Sequence, residues 1–192
     1  MVTSGKRRRA LRAIHHVCGG AEIWDPATEE WTLINAQHSV PRTYHSTAVL
    51  LKDGRVFHGG GGLCSRPCDQ DTNHLDTQIF SPPYLFNANG TPATRPTISV
   101  NRFTVQAGKT IIVTSNQALS MISMIRFGAA THSTNLDQRR IELCGPNIRD
   151  CTASPAEVRL PANTGVVIRG HWMVFGINNA GVPSEAANVF VN

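Results

Sequence analysis

Two adjacent residues with metal-binding side chains, Tyr44 and His45, precede a stretch of alternating apolar residues. Successive residues of a regular strand point to opposite faces, so both side chains could bind one ion only where the backbone is irregular. Arg42 and Thr43, which follow Pro41, mark such a strand start. A phenolate with an imidazole suits an ion that accepts tetragonal nitrogen and oxygen ligands, which favours Cu(II). Because Tyr-His pairs at strand starts are more often structural, the wider stretch has to decide.

The residues after this pair predict a hairpin that ends in glycines. Alternating apolar residues lead to a turn at Asp53-Gly54, and the returning strand ends in the run Gly59–Gly62. An earlier strand ends at Gly19-Gly20, about forty residues upstream, which is close to the period of kelch and WD40 propeller blades. Because a propeller closes with roughly four to eight blades, such a piece is incomplete and we expect truncation at the N-terminus.

The second half of the chain predicts a sandwich of short strands. It follows a proline-rich connection, and the domain boundary is placed near Thr94. Short apolar runs separated by turn signals over such a length are typical of an immunoglobulin-like sandwich. The expected strands are Thr97–Val100, Lys109–Thr114, Met121–Phe127, Arg140–Cys144, Ala156–Leu160, Gly170–Asn178 and Asn188–Val191.

The predicted fold class is therefore all-β. Residues 1–17 form a basic leader without periodicity, residues 18–93 a partial kelch-type β-propeller, and residues 94–192 an immunoglobulin-like sandwich. The propeller part amounts to about one to two blades.

The charge distribution argues against a nucleic-acid partner, and the lengths of the apolar runs argue against a membrane span. The formal net charge is +5, and the leader supplies it through Lys6, Arg7, Arg8, Arg9 and Arg12, which leaves the rest neutral. A nucleic-acid surface needs basic residues spread over a folded face, so no nucleic-acid partner is expected. No apolar run approaches the ~18 residues of a membrane span, and the leader lacks the apolar region of a secretion signal.

Five cysteines predict two short-loop disulfides and one residue left over. The pairs are Cys64–Cys68 and Cys144–Cys151, and Cys18 is the odd one. Disulfides suit an oxidising compartment. A zinc site at the first pair with His74 would need a fourth ligand, which the spacing does not offer.

A few other residues stand out by type. The triplet Asn89-Gly90-Thr91 is a glycosylation sequon on an Asn-Gly turn, where a glycan would be sterically easy to accommodate. Trp24, Trp31 and Trp172 are predicted to pack in a core rather than to stack on a ligand, and His58 has no partner visible in the sequence.

Four motifs in order carry a family resemblance: RTYHSTAVLLKDGRVFHGGGGLC, TNHLDTQIFSPPYLF, IRFGAATHSTNLDQRR and GHWMVFGINNAGVPS. They closely resemble the C-terminal third of galactose oxidase and related copper-radical oxidases, from about Ala21 to Asn192. In that family a seven-bladed kelch-type propeller precedes an immunoglobulin-like early-set domain. A loop of the latter inserts a histidine into the axial channel of the propeller, where the copper sits.

The resemblance implies roles for three residues. Tyr44 resembles the axial tyrosine that takes the alcohol proton as general base, and His45 resembles the first equatorial imidazole ligand. His132 resembles the histidine delivered by the second domain. Its neighbours in Gly128–Asn135 are small or polar, as expected of a loop that threads a narrow channel. The implied cofactor is one Cu(II) ion with Tyr44, His45 and His132 as ligands.

The sequence also departs from the family pattern. The family oxidises with the radical of a second tyrosine, which is cross-linked to a cysteine and stacked on a tryptophan, and these residues lie upstream of the matching stretch. The chain has two tyrosines, and Tyr84 lies in the segment SPPYLF. Copper alone accepts one electron, whereas oxidation of an alcohol releases two. The site is therefore predicted to be incomplete, because the radical tyrosine is missing. Whether this chain is an enzyme is left open.

We therefore expect the C-terminal part of a secreted, monomeric copper-radical oxidase, inactive alone. The family oxidises a primary alcohol or aldehyde with O2 and yields H2O2, so the substrate is a small alcohol, aldehyde or carbohydrate. The alternative is a non-catalytic β-module that binds a carbohydrate or a partner. A third interpretation is a gene model that starts too late, favoured by a leader unlike any blade strand.

Overall fold

The structure is a computed structural model that describes residues 2–3, 20–40, 42, 44–62, 73–132, 134–146, 148–149 and 151–192. The chain divides into two compact units. Unit 1 comprises Met1–Val49, Val56–Ile79 and Ala130–Thr134, and unit 2 comprises Leu50–Arg55, Phe80–Ala129 and Asn135–Asn192.

The described residues form strands almost exclusively, which confirms the predicted all-β class. A 3-10 turn at Pro83–Leu85 is the one helical element among them, and no helix there is long and apolar enough to cross a membrane. The strands are β1 (Val2–Thr3), β2 (Gly20–Asp25), β3 (Glu30–Gln37), β4 (Ser46–Leu50), β5 (Val56–Gly60), β6 (Thr77–Phe80), β7 (Ile98–Val100), β8 (Thr104–Val105), β9 (Thr110–Ser115), β10 (Leu119–Arg126), β11 (Ala130–Thr131), β12 (Thr134–Asn135), β13 (Arg140–Cys144), β14 (Ala156–Arg159), β15 (Gly170–Asn178) and β16 (Ala187–Val191).

Three small sheets hold the strands up to β6 and the hairpin that carries His132. Their orders are β1-β2-β3, β4-β5-β6 and β11-β12. In the β2–β3 hairpin Trp24 lies opposite Trp31, with ring centroids 6.4 Å apart. The two side chains are 36% and 51% exposed, so the prediction that they pack in a core is wrong. Directly opposed residues of a hairpin share a face, and these rings therefore pack on each other.

Unit 2 is a β-sandwich. One sheet has the order β13-β10-β15-β16-β8 and the other β14-β9-β7, with antiparallel pairing except between β16 and β8. Both sheets contribute to one core, which includes Ile111, Val158 and Val189. All seven strands predicted for this half are present within two residues of their bounds, whereas β8 and the β11–β12 hairpin were not predicted.

The central strand β15 is buried on both faces, which explains why its sequence is almost continuously apolar. Trp172 and Val174 belong to the sandwich core, as predicted for Trp172. Met173 and Phe175 point to the other face, where they pack with Ala186.

A disulfide closes the turn after β13. Cys144 and Cys151 are bonded, as predicted, and both lie in the sandwich core at 0% and 2% exposure. Cys18, Cys64 and Cys68 lie outside the described residues, and the Cys64–Cys68 pairing stays a prediction.

The turn after β4 belongs to unit 2 and is fixed by two side chains of that unit. Arg95 donates hydrogen bonds to the Asp53 carbonyl at 2.7 Å and to the Ser184 carbonyl at 2.6 Å. The Tyr84 hydroxyl donates to the Gly54 carbonyl at 2.6 Å, and burial raises the pKa of Tyr84 to about 12. Tyr84 is thus a partly buried, structural hydrogen-bond donor.

Candidate metal centre

Tyr44 and His45 form the turn directly before β4. His45 has a φ of +61°, in the left-handed region that residues other than glycine rarely adopt. The irregular backbone expected at this strand start is therefore present. It turns the two neighbouring rings to the same side, with centroids 3.9 Å apart.

His132 lies in the tight turn between β11 and β12, within the segment that belongs to unit 1. Its φ of +52° is also in the left-handed region. The Thr131 hydroxyl lies 2.8 Å from His132 Nδ1. If Nδ1 donates this hydrogen bond, the lone pair of the imidazole is on Nε2, which is the arrangement common in histidines that bind metals.

The structure brings all three sequence-predicted ligands together. The His132 ring centroid lies 4.6 Å from that of His45 and 5.6 Å from that of Tyr44. Tyr44 is 46% exposed, and both histidines are exposed as well. A cluster of one phenol and two imidazoles could hold a copper ion through nitrogen and oxygen.

A metal here would depend on the tyrosine as a ligand. Among the described residues, no group of three or more His, Cys, Asp or Glu side chains could hold a metal ion. Two imidazoles without Tyr44 would give two protein ligands. The phenol oxygen therefore decides whether the described residues provide three ligands.

Glycines at the end of β5 make room for the backbone of the Tyr-His turn. The Gly62 amide donates to the Tyr44 carbonyl at 2.8 Å. Gly60 has a φ of +69°, and a Cβ atom added to it would lie 3.0 Å from the His45 carbonyl oxygen. The glycine run thus approaches the turn closely and fixes the backbone of Tyr44 and His45.

A buried arginine supports the same glycines. The Arg42 side chain is completely buried, and it donates to the Gly60 carbonyl at 2.7 Å and to the Asp76 carboxylate at 2.5 Å. Because Gly60 lies against His45, the ion pair helps to fix the backbone beside the candidate ligand.

His58, for which the sequence showed no partner, lies beside a second imidazole. Its ring is 5.4 Å from that of His38 in an edge-to-face arrangement. Burial lowers the pKa of His58 to about 4, and the nearby His38 and Arg42 contribute in the same direction. His58 is therefore neutral at pH 7, and its cationic neighbour Arg42 disfavours a metal ion at this pair.

Sequence reasoning missed the support that Arg42 and Asp76 provide. Arg42 lies two residues before Tyr44, and this closeness in sequence is the signal that could have suggested a supporting role. The position of Asp76 gave no such signal, because the residues that contact Arg42 are set by the pairing of β4, β5 and β6.

A model of the galactose oxidase-like early set domain matches residues 95–191, which is half of the chain. The chain belongs to the galactose oxidase-like family. The resemblance seen in the sequence is thus confirmed, and the sandwich of unit 2 is the early-set domain of this family.

Individual relatives of this galactose oxidase-like chain have related names. The chain is 43% identical over 191 residues to a galactose oxidase of Gibberella zeae, a match that covers 99% of this chain and 27% of that protein. It is 33% identical over 162 residues to the aldehyde oxidase GLOX of Vitis pseudoreticulata, which covers 77% of this chain and 29% of that protein.

One solved structure is similar to this chain in both fold and sequence. It is a fungal alcohol oxidase in complex with copper, with a TM-score of 0.83 and 43% identity over 98% of this chain and 39% of that one. The galactose oxidase-like chain is therefore homologous to copper oxidases, and it spans about a quarter to two-fifths of the length of these relatives.

Proposed function

We propose that this chain supplies three protein ligands of a Cu(II) centre in a copper-radical oxidase of primary alcohols or aldehydes. The ligands are Tyr44, His45 and His132. The observation that carries the proposal is the proximity of their rings, with centroids 3.9 to 5.6 Å apart although His132 lies far along the chain. The copper complex of the structural relative supports the choice of metal.

Tyr44 has two roles in this proposal. Its phenol oxygen is a ligand, and it accepts the hydroxyl proton of the substrate as general base. Its 46% exposure supports both roles because a small alcohol can reach the side chain. General bases must lie within hydrogen-bond reach of the proton they abstract, which an exposed side chain at the ion permits.

The two histidines position the ion. In the proposal His132 Nδ1 donates to the Thr131 hydroxyl, which lies 2.8 Å away, and this leaves the lone pair of Nε2 available for the ion. The left-handed backbone of His45 brings its ring beside Tyr44. Copper would accept one of the two electrons that oxidation removes from the alcohol, and the family resemblance implies that a tyrosyl radical accepts the other.

Part of the proposal is that the chain by itself binds Cu(II) without turnover. Its second tyrosine, Tyr84, donates its hydroxyl to the Gly54 carbonyl and lies in unit 2. No further tyrosine in the sequence remains for a radical. The whole oxidase would convert an alcohol or aldehyde and O2 to the oxidised product and H2O2.

The domain division and localisation belong to the same proposal. Residues 18–93 are the C-terminal part of a propeller and residues 94–192 the early-set domain of an extracellular monomer. The Cys144–Cys151 disulfide supports an oxidising compartment.

Copper titration followed by electron paramagnetic resonance tests the proposed ligands. The wild-type chain should bind one equivalent of Cu(II), and His132→Ala should weaken binding by at least about tenfold. His171→Ala is the matched control, because His171 is an exposed imidazole in unit 2 that contacts phenylalanine rings. Equal binding by wild type and His132→Ala would exclude His132 as a ligand.

A peroxide assay tests the absence of turnover. With copper and a panel of primary alcohols and aldehydes, the chain alone should form no H2O2 above the level of free copper. Peroxide formation that depends on Tyr44 would contradict this part of the proposal. Carbohydrate binding that is unaffected by copper would instead favour a non-catalytic module.

A further inference from the structure

The loop between Phe86 and Pro92 in unit 2 carries a sequon that the proposed oxidase chemistry does not use. Phe86 and Pro92 pair through an isolated β-bridge, and the Asn87 amide donates to the Thr91 carbonyl at 2.8 Å. Every residue from Phe86 to Pro92 is exposed. The loop is therefore tight and fully accessible at its tip.

The two polar side chains of the sequon contact each other directly. The Thr91 hydroxyl donates to Asn89 Oδ1 at 2.7 Å, and the Thr91 amide donates to the same oxygen at 3.1 Å. Both hydrogen bonds engage the carbonyl oxygen of the Asn89 amide. The nitrogen Nδ2, which is the atom that an N-linked glycan modifies, donates no hydrogen bond among those seen in the described residues.

The middle residue of the sequon leaves space around the site. Gly90 has a φ of +81°, and a Cβ atom added there would meet nothing within 4 Å. A sugar attached at the tip of this loop would therefore have no steric clash with the protein beside Gly90.

We propose that Asn89 carries an N-linked glycan and that the first sugar packs against the ring of Phe86. Phe86 lies three residues before Asn89 in the tight loop and is 39% exposed. The C–H faces of a sugar pack favourably on an aromatic ring because they are apolar and slightly positive against its negative face. The loop thus combines an acceptor with a platform for the first sugar.

The modification is a group transfer from a polyprenyl-diphosphate-linked oligosaccharide. A bond forms between Asn89 Nδ2 and the anomeric carbon of the sugar while the bond from that carbon to the phosphate oxygen breaks. The lipid diphosphate leaves with the electron pair of the broken bond, and the proton that Nδ2 loses passes to solvent. This inference goes beyond the proposed copper chemistry and does not depend on it.

Expression of the chain behind a secretion signal in yeast tests the site. Both the secreted and the cell-retained chain are collected, since transfer takes place when the chain enters the lumen. Amidase release in heavy-oxygen water labels the aspartate formed from glycosylated Asn89, whereas spontaneous deamidation before digestion leaves the residue unlabelled. We expect labelled Asn89 in wild type and Thr91→Ser, and none in Thr91→Ala. An unmodified Asn89 in both wild-type pools would overturn the proposal.

Thermal unfolding tests the contact with Phe86. Trimming with an endoglycosidase that leaves the first sugar should preserve the unfolding midpoint. Preventing attachment by Thr91→Ala should lower that midpoint by about 2 °C or more relative to Thr91→Ser. In the Phe86→Ala background this difference should shrink to the part that the lost hydrogen bond of the Thr91 hydroxyl contributes. An equal difference in both backgrounds would overturn the packing of the sugar on Phe86. Copper titration of Asn89→Gln, which should match wild type, separates this result from a failure of the proposed copper site.

Discussion

The guanidinium of Arg42 is completely buried and donates a hydrogen bond of 2.5 Å to the carboxylate of Asp76, whose side chain is 51% exposed. The same guanidinium donates to the Gly60 carbonyl, and Gly60 lies against the carbonyl of His45. The ion pair thus fixes the glycine strand that borders the candidate metal centre. Its strength should influence both stability and copper affinity.

Asp76→Asn should lower the free energy of unfolding by about 1–2 kcal/mol, because it leaves the buried guanidinium without an anionic partner. Half of the carboxylate is in contact with water, which keeps the loss below that of a fully buried pair. Denaturant unfolding measures the effect. Asp53→Asn is the control, since Arg55 is exposed and water screens its ion pair with Asp53, so the loss of stability should be clearly smaller. Equal losses in both variants would contradict a special role of Arg42.

His132→Gly should change stability and copper binding in opposite directions. Glycine adopts a φ of +52° without the steric cost that histidine has there, so the apo chain should become more stable by about 0.5–1 kcal/mol. Copper binding should be weakened because the imidazole is gone. Glu29→Gly is the matched control, since Glu29 has a φ of +57° outside the site. It should gain stability without losing copper, and a loss of stability in His132→Gly would argue against backbone strain at this turn.

Gly60→Ala should destabilise the chain by about 1–2 kcal/mol and weaken copper binding. The new Cβ atom would lie 3.0 Å from the His45 carbonyl oxygen, and the φ of +69° would be strained for alanine. Gly181→Ala isolates the backbone cost, because Gly181 has a φ of +78° with no atom within 4 Å of the added Cβ. Only Gly60→Ala should affect copper in a titration. If both variants retain full copper affinity, Gly60 does not fix the position of His45.

The pH dependence of stability should report His58. Burial lowers its pKa from the usual 6.5 to about 4. Between these values the unfolded chain binds a proton that the folded chain does not, so the free energy of unfolding falls as pH decreases from 7 to 5. His58→Gln should reduce this loss by about 1 kcal/mol, an amount already discounted for the exposed part of the ring. Hydrogen exchange of unit 1 peptides at pH 7 and pH 5 measures this change in the free energy of unfolding. His171→Gln is the control. If the free energy of unfolding depends on pH equally in His58→Gln and wild type, the pKa of His58 is not lowered in the folded chain.

Local features of the fold could be predicted from the sequence because they depend on neighbouring residues. Alternation of apolar residues located the strands of the sandwich, Asp53-Gly54 located a turn, and the spacing of Cys144 and Cys151 located a disulfide. Alternation could not show what covers a face, and so the exposure of Trp24 and Trp31 was missed.

The sequence by itself determined the all-β class, the family and the identity of Tyr44, His45 and His132 as candidates, since residue types and motif order carry that information. Only the tertiary structure decided that these rings meet, because the position of His132 depends on a turn far along the chain. It also decided that His45 and His132 have left-handed backbones and that Arg42 is buried against Asp76. Such features arise from contacts between strands distant in sequence, and no local pattern of residues records them.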